Sequence, residues 1–369
     1  MPNQKVYEGL DPEASACSSI MLRSCEGEMR VPDISLKSVL YIGEATAQGI
    51  FNPRGTGFIA VVLRPSRTPI FYLVTADHVR RLLRNEKSFA IRLNDAEGKA
   101  QVLRSPTAFQ WWRHPTDKSV DAAVYPWFLE DFPMAAFPTS RFVTEEQLKF
   151  NRFSDPGIGI GDEIFIVGLF NKMKGRNRIT PILRHGHIAM MAGEPIPTKN
   201  YGHAEFYLVE DFSTAGLSGS PVYVNETVYF PYQQGSRPRA YPENADPAFR
   251  VAMAVGPTHC LGLLHGMMPI ETAVELAGDP DHPKQKWHSG ISMVVPATKL
   301  LEIINQPKLV EQVQRMEQAI KEDRPIETAL LDEKEKGEQR TGRNIRIPEP
   351  TRARFFSDPE KATRKLAKK

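Results

Sequence analysis

The chain has 369 residues and a mass of 41.5 kDa, more than one average domain and enough for two packed units or one large unit with appendages. Hydrophobic residues make up 41% and charged residues 25%, a globular balance that excludes wholesale disorder. A formal net charge of +3 is too small to predict a nucleic acid or a membrane as partner of the whole chain.

Cys17, Cys25 and Cys260 are too few, and odd in number, for the disulfide framework of a secreted scaffold. The first residues carry acids and no apolar run of signal-peptide length. No later stretch approaches the roughly 18 to 20 uninterrupted apolar residues of a spanning helix. The expectation is a soluble, cytoplasmic protein with reduced thiols and no membrane contact.

From residue 38 to about 296 the sequence is a succession of short runs rich in Val, Ile, Phe, Tyr and Leu, separated by Gly, Pro, Asn and Asp. Runs at 57–63, 70–75, 122–125, 163–169, 204–209, 221–224, 260–264 and 291–295 predict an all-β barrel or sandwich protein. Two stretches read as helix, 77–85 and 144–150, the second a bridge between two β units. Residues 229–247, with four prolines and four aromatics, and 279–289 read as surface insertions. Beyond Pro296 the apolar spacing turns helical over 297–304 and 308–323. Residues 340–369 hold ten Lys/Arg against three Asp/Glu. This segment reads as a solvated basic tail, or as a hook for an acidic partner or nucleic acid. The domains expected are an extension (1–37), a first β unit (38–143), a second (144–305) and a helical, charged tail (306–369).

Three motifs carry chemistry. In Gly216-Leu217-Ser218-Gly219-Ser220-Pro221 a serine stands between glycines, which allow positive φ and turn amide N–H groups toward a carbonyl oxygen. In Leu73-Val74-Thr75-Ala76-Asp77-His78 an apolar strand ends in a histidine, the base that a serine hydroxyl needs to become a nucleophile. In Val120-Asp121-Ala122-Ala123-Val124 an acid opens an apolar strand, suited to accept the other ring N–H of that histidine and fix its tautomer. Asp117 is a competitor for that part, and the apolar run after Asp121 favours Asp121. The order is His78, Asp121, Ser218, a separation of 43 and then 97 residues.

With Gly55-Thr56-Gly57-Phe58, Gly161-Asp162 before a strand ending in Gly168, Leu261-Gly262-Leu263-Leu264 and Val294-Val295-Pro296 before a helix, these motifs resemble the trypsin-like, chymotrypsin-fold serine proteases. The style is that of bacterial, disulfide-free domains of the HtrA type, without a PDZ module. The resemblance implies two antiparallel six-stranded β-barrels, with His78 and Asp121 on the first and Ser218 on the second. It also implies an oxyanion hole from the Gly216 and Ser218 amides, and an endopeptidase working through an acyl-enzyme on protein or peptide substrates. It places Phe212 at the floor of the primary specificity pocket, which argues against a Lys or Arg preference, with Leu264, His265 and Gly266 as a wall.

Three features depart from the family. Asp77 precedes the histidine, Leu217 precedes the serine, and an Ile-Val-Gly-Gly activation start is absent, so zymogen cleavage by that route is not expected. The alternatives are a catalytically idle protease-fold binding module and a latent protease activated by a regulatory partner. No cofactor is expected. His185 and His187 with His203, His259 or Cys260 form the one group in which zinc can be imagined, but no CxxC or HExxH spacing supports it, so no metal is expected either.

Overall fold

The computed structural model describes residues 31–63, 69–85, 88–95, 97–105, 110–127, 135–148, 157–170, 174–198, 201–211, 216–231, 251–269 and 288–322. By their internal contacts, residues 1–317 form one unit and residues 318–369 another.

Two β structures dominate the first unit. After helix α1 (Asp33–Lys37) come β1 (Val39–Ala45), β2 (Phe51–Val62), β3 (Ile70–Thr75), helix α2 (Asp77–Arg81), β4 (Ala90–Asn94), β5 (Ala100–Arg104), β6 (Trp112–Arg113), β7 (Ala123–Trp127) and β8 (Phe137–Pro138). These strands form one sheet in the order β5-β4-β1-β2-β3-β7-β6, with β8 pairing parallel to β2. After helix α3 (Glu145–Leu148) follow β9 (Glu163–Gly168), β10 (Ile182–Met190), a hairpin of β11 (Ile196–Thr198) and β12 (Gly202–Ala204), β13 (Tyr207–Glu210), β14 (Pro221–Pro231), β15 (Val251–Pro269) and β16 (His288–Pro296). Six of these close into a barrel, β10-β13-β16-β15-β14-β9.

Among the described residues only this second structure is a closed six-stranded barrel, where two were expected. The first sheet ends at β5 and β6, which do not pair among the described residues. Strand β6 has only two residues, too few to carry a ladder to a second neighbour. Beside β6 and β7 aromatic rings pack together: Phe89 lies 5.0 Å from both Trp111 and Tyr125, centroid to centroid, and 6.0 Å from Trp127.

The strands also reach into segments read as insertions. Tyr229, Phe230 and Pro231 pair with Met253, Ala252 and Val251 at the far end of the β14–β15 ladder, and His288 opens β16. Aromatic residues extend that ladder, and Pro231 sits at its last rung, where a missing N–H matters least. The remaining insertion residues, 232–250 and 270–287, and the basic segment 340–369 lie outside the described residues.

The two β structures share one buried core, which runs from Phe58 and Val74 to Phe165, Val222 and Leu263. Polar ties cross between them. The Arg92 guanidinium donates to the carbonyls of Lys174, Gly175 and Arg176 at 2.6, 2.8 and 3.1 Å, and Asn94 exchanges two hydrogen bonds with Ile179. Helix α4 (Ala297–Ile304) buries Ala297, Leu300, Ile303 and Ile304, one face at helical spacing. It packs on β15 and β7. Gln306 donates to the Arg113 carbonyl at 3.2 Å, which ties the end of the barrel's chain back to the first sheet. Helix α5 (Pro307–Lys321) follows.

Leu263, fully buried in β15, is a core position by this account. Leu263→Ala should cost about 2–5 kcal/mol in denaturant unfolding, whereas Leu82→Ala, at a side chain 54% exposed, should stay within about 0.5 kcal/mol.

Candidate active site

Strand β3 delivers the histidine. Its last residue, Thr75, is followed by Ala76 in extended conformation and then by α2, so His78 stands in the first helical turn. The His78 backbone N–H donates to Asp121 Oδ1 at 2.8 Å, and ring Nδ1 lies 2.6 Å from Oδ2. One carboxylate thus grips both the backbone and the ring of the same residue. Asp121 immediately precedes Ala122 and β7, and β7 pairs with β3 through Ala123 and Thr75. This register sets the two side chains together across a sequence separation of 43.

Asp121 is completely buried, and it is not satisfied by His78 alone. The Tyr201 hydroxyl, from the turn between β11 and β12, donates to Oδ1 at 2.6 Å. His265 Nδ1, from β15, lies 2.5 Å from Oδ2. Burial pushes the Asp121 carboxyl up, but the hydrogen bonds from His265 and His78 outweigh it and hold the carboxyl far below the usual carboxylate range. An ionised carboxylate only accepts, so both histidines present Nδ1–H to it. In the neutral His78 ring this leaves Nε2 with a free lone pair. The Tyr201 hydroxyl is pushed in the opposite direction, upward, by burial and by the Asp121 charge.

Ser218 lies half-buried in the loop before β14. Gly216 has φ 102° and Gly219 φ 87°, a left-handed backbone on both sides of the serine that side chains rarely adopt. The loop is anchored to both β structures. Thr56 N–H donates to the Ser218 carbonyl at 3.2 Å, Gly219 N–H to the Leu264 carbonyl at 2.9 Å, and Leu264 N–H to the Ser220 carbonyl at 2.8 Å. A Cβ on Gly219 would lie 2.0 Å from the Thr56 carbonyl oxygen, and one on Gly168 would lie 2.4 Å from Leu217 Cδ2. Leu217 is a buried apolar anchor packed into the space that Gly168 leaves. Among the described residues the amides of Gly216 and Ser218 donate no hydrogen bond.

The residues singled out in the sequence fall as follows. His78 and Asp121 are joined. Ser218 is neighbour to Gly266, whose Cβ, if present, would lie 3.9 Å from Ser218 Oγ. The His265 ring in turn stands edge-on to His78, centroids 5.5 Å apart. Among the described residues no hydrogen bond joins Ser218 Oγ to His78. Asp117 is engaged elsewhere, accepting from Ser119 N–H at 2.8 Å and Ser119 Oγ at 2.6 Å. Leu264 is buried and Gly266 half-buried, while Phe212 lies outside the described residues. Asp77 is buried and paired with Arg80 Nε at 2.6 Å and Arg81 Nε at 3.0 Å.

The imagined zinc group does not assemble. Among the described residues the only cluster of three or more His, Cys, Asp or Glu side chains with ligating atoms all within 4.8 Å is His78, Asp121 and His265. Its Nδ1 to Oδ2 distances are hydrogen-bond distances, shorter than two ligands around one zinc ion stand apart. His259 instead bonds Gln147 at 3.1 Å, and burial raises the Cys260 thiol far above its ordinary value. Nothing in the sequence marks Tyr201, which sits in a short polar turn with no motif around it. The placement of His265 follows from a bulge, since the β15–β16 register shifts between Leu264 and Gly266, and a bulge re-aims the residue it holds.

No protein-family model matches the sequence. No curated protein matches it either. Among solved structures, the chain is similar to the MamO protease domain from Magnetospirillum magneticum in its apo form, at TM-score 0.40 and 12% identity over 74% of this chain and 99% of that one. It is similar to the HtrA-type protease AlgW with a decapeptide, at 0.37 and 13% over 78% and 65%, and to the Rv3671c protease from M. tuberculosis in its active form, at 0.37 and 14% over 76% and 92%. The fold rests on the strand pairing of this chain, not on these likenesses.

The depressed Asp121 carboxyl has a consequence for stability. A folded-state value below the unfolded one contributes stability above the unfolded value of about 4 and loses it as pH falls toward the folded one. Unfolding free energies of wild type and Asp121→Asn should therefore differ most at neutral pH and converge as pH falls below about 4. A constant gap across pH 3–7 would mean that the ionised carboxylate is not what the fold depends on here.

Proposed function

We propose that this chain is a serine endopeptidase. The observation that carries the reading is the double grip of Asp121 on His78, which leaves Nε2 as the one unengaged basic atom of the ring. In the proposed cycle His78 Nε2 takes the Ser218 Oγ proton as Oγ attacks a peptide carbonyl carbon. The carbonyl electrons move onto oxygen, and the amides of Gly216 and Ser218 hold that oxyanion. Asp121 stabilises the imidazolium by staying ionised. The imidazolium then returns its proton to the leaving amine, the C–N bond breaks, and an acyl-enzyme remains. Water, deprotonated by the same nitrogen, attacks the ester carbonyl, and Ser218 leaves with the proton from His78.

The residues assigned are His78 as base, Asp121 as its orienting anion, Ser218 as nucleophile, and the Gly216 and Ser218 amides as oxyanion donors. Substrates are proteins or peptides. Leu264 supplies the backbone that anchors the serine loop, and Gly266 flanks the nucleophile. A cytoplasmic setting agrees with the few cysteines. Among the described residues no helix is long and apolar enough to cross a membrane. The domain limits proposed are those read from the sequence, with the basic segment 340–369 as the place for an acidic partner.

The missing Ser218 to His78 hydrogen bond favours a second reading, a latent protease in which substrate or a regulatory partner seats the hydroxyl. Catalytic hydrogen bonds often tighten only in the substrate complex.

A peptide library incubated with purified protein should be cleaved, and Ser218→Ala and His78→Ala should each lower turnover by about 10⁴-fold or more. Equal cleavage by wild type and Ser218→Ala would refute the assignment.

A further inference from the structure

Asp121 has more donors than the orientation of one imidazole requires. His78 supplies two, its backbone N–H and Nδ1–H, and two more arrive from remote parts of the chain. Tyr201 meets Oδ1 and His265 meets Oδ2. We propose that Tyr201 and His265 are positioning residues that clamp Asp121, fixing the rotation of its carboxylate so that Oδ2 stays aimed at His78 Nδ1. The kinetic part of this inference rests on the endopeptidase reading.

Each member of the clamp is itself held. Arg81 donates to the Tyr201 hydroxyl, so the hydroxyl proton is left to point at Asp121, and the two bonds reinforce each other. The Arg81 guanidinium carbon also stands 4.9 Å from the Tyr201 ring centroid, a cation–π contact, while its Nε pairs with Asp77. The acid that departs from the family pattern beside the histidine thereby steadies the arginine that steadies the tyrosine. His265 is presented by the bulge in β15, and its side chain is 15% exposed. Tyr201 and Phe206 confine it, with ring centroids 5.6 and 5.1 Å away.

Geometry gives the two residues different consequences. Without the Tyr201 hydroxyl, Oδ1 keeps only the His78 backbone donor. Without the His265 ring, Oδ2 keeps only the donor it is meant to orient, and the carboxylate can swing about its own axis.

The test uses the full chain labelled with ¹⁵N-histidine and three variants: Tyr201→Phe, which deletes one oxygen, His265→Phe, which deletes the donor, and His265→Gln, which keeps an amide donor. Wild type should show two strongly deshielded imidazole N–H protons. Tyr201→Phe should shift the His78 resonance and lower kcat about tenfold with KM within about threefold. His265→Phe should remove one resonance and lower kcat by about 10–100-fold, and His265→Gln should recover most of that loss. A Tyr201→Phe protein with unchanged kcat and unchanged His78 resonance would overturn the clamp, as would equal impairment of His265→Gln and His265→Phe. If wild type cleaves no peptide, the endopeptidase reading fails while the resonances still decide the clamp.

Discussion

Burying an ionised carboxylate is among the costliest things a fold can do, and it is tolerated only where donors replace the lost water. Asp121 is completely shielded, so everything around it is constrained by the need to supply those donors. β3 must end where α2 can point the His78 amide and ring at the same acid. The β11–β12 turn must bring a phenol to Oδ1. The ladder of β15 must break its register at His265. Remove any one and a lone pair is left unmet in a low-dielectric interior, a penalty of roughly 1–3 kcal/mol or more for a charged group.

A second constraint acts on the serine loop. At Gly219 its backbone passes so close to the Thr56 carbonyl that no Cβ fits, and its Leu217 and Ser220 side chains press so close on Gly168 that a Cβ there would collide with them. The hydrogen bonds from Thr56 and to Leu264 come from the first sheet and from the barrel. The loop is therefore held by both β structures, and its two left-handed glycines leave the Gly216 and Ser218 amides uncommitted among the described residues. The ties from Arg92 to residues 174–176 and from Gln306 to Arg113 hold the first sheet and the barrel in the alignment that this loop needs.

Much of this was legible in the sequence because the signals are local. The apolar runs at 70–75, 163–169 and 291–295 are strands, the turn after Ala76 is helical, and the acid before Ala122 is the partner of His78. Glycine spacing around Ser218 marks the positive φ of Gly216 and Gly219. What was not legible depends on pairing between remote segments. Whether the first sheet closes is decided by whether β5 finds β6, and no periodicity reports that. The extension of β14 to Pro231 is set by register with residues 251–253. The bulge at His265 is a one-residue slip between two strands, and Tyr201 lies in a turn whose composition predicts only a turn.

The central claim is that His78, Asp121 and Ser218 act on a substrate carbonyl as one unit. A crystal structure of the protein treated with a peptide boronate or phosphonate tests it most directly. The account predicts a tetrahedral adduct on Ser218 Oγ, one oxygen within hydrogen-bond distance of the Gly216 and Ser218 amides, and His78 Nε2 at the adduct while Nδ1 keeps its bond to Asp121. An adduct on another residue, or a bound inhibitor with Ser218 unmodified and His78 turned away, would contradict it.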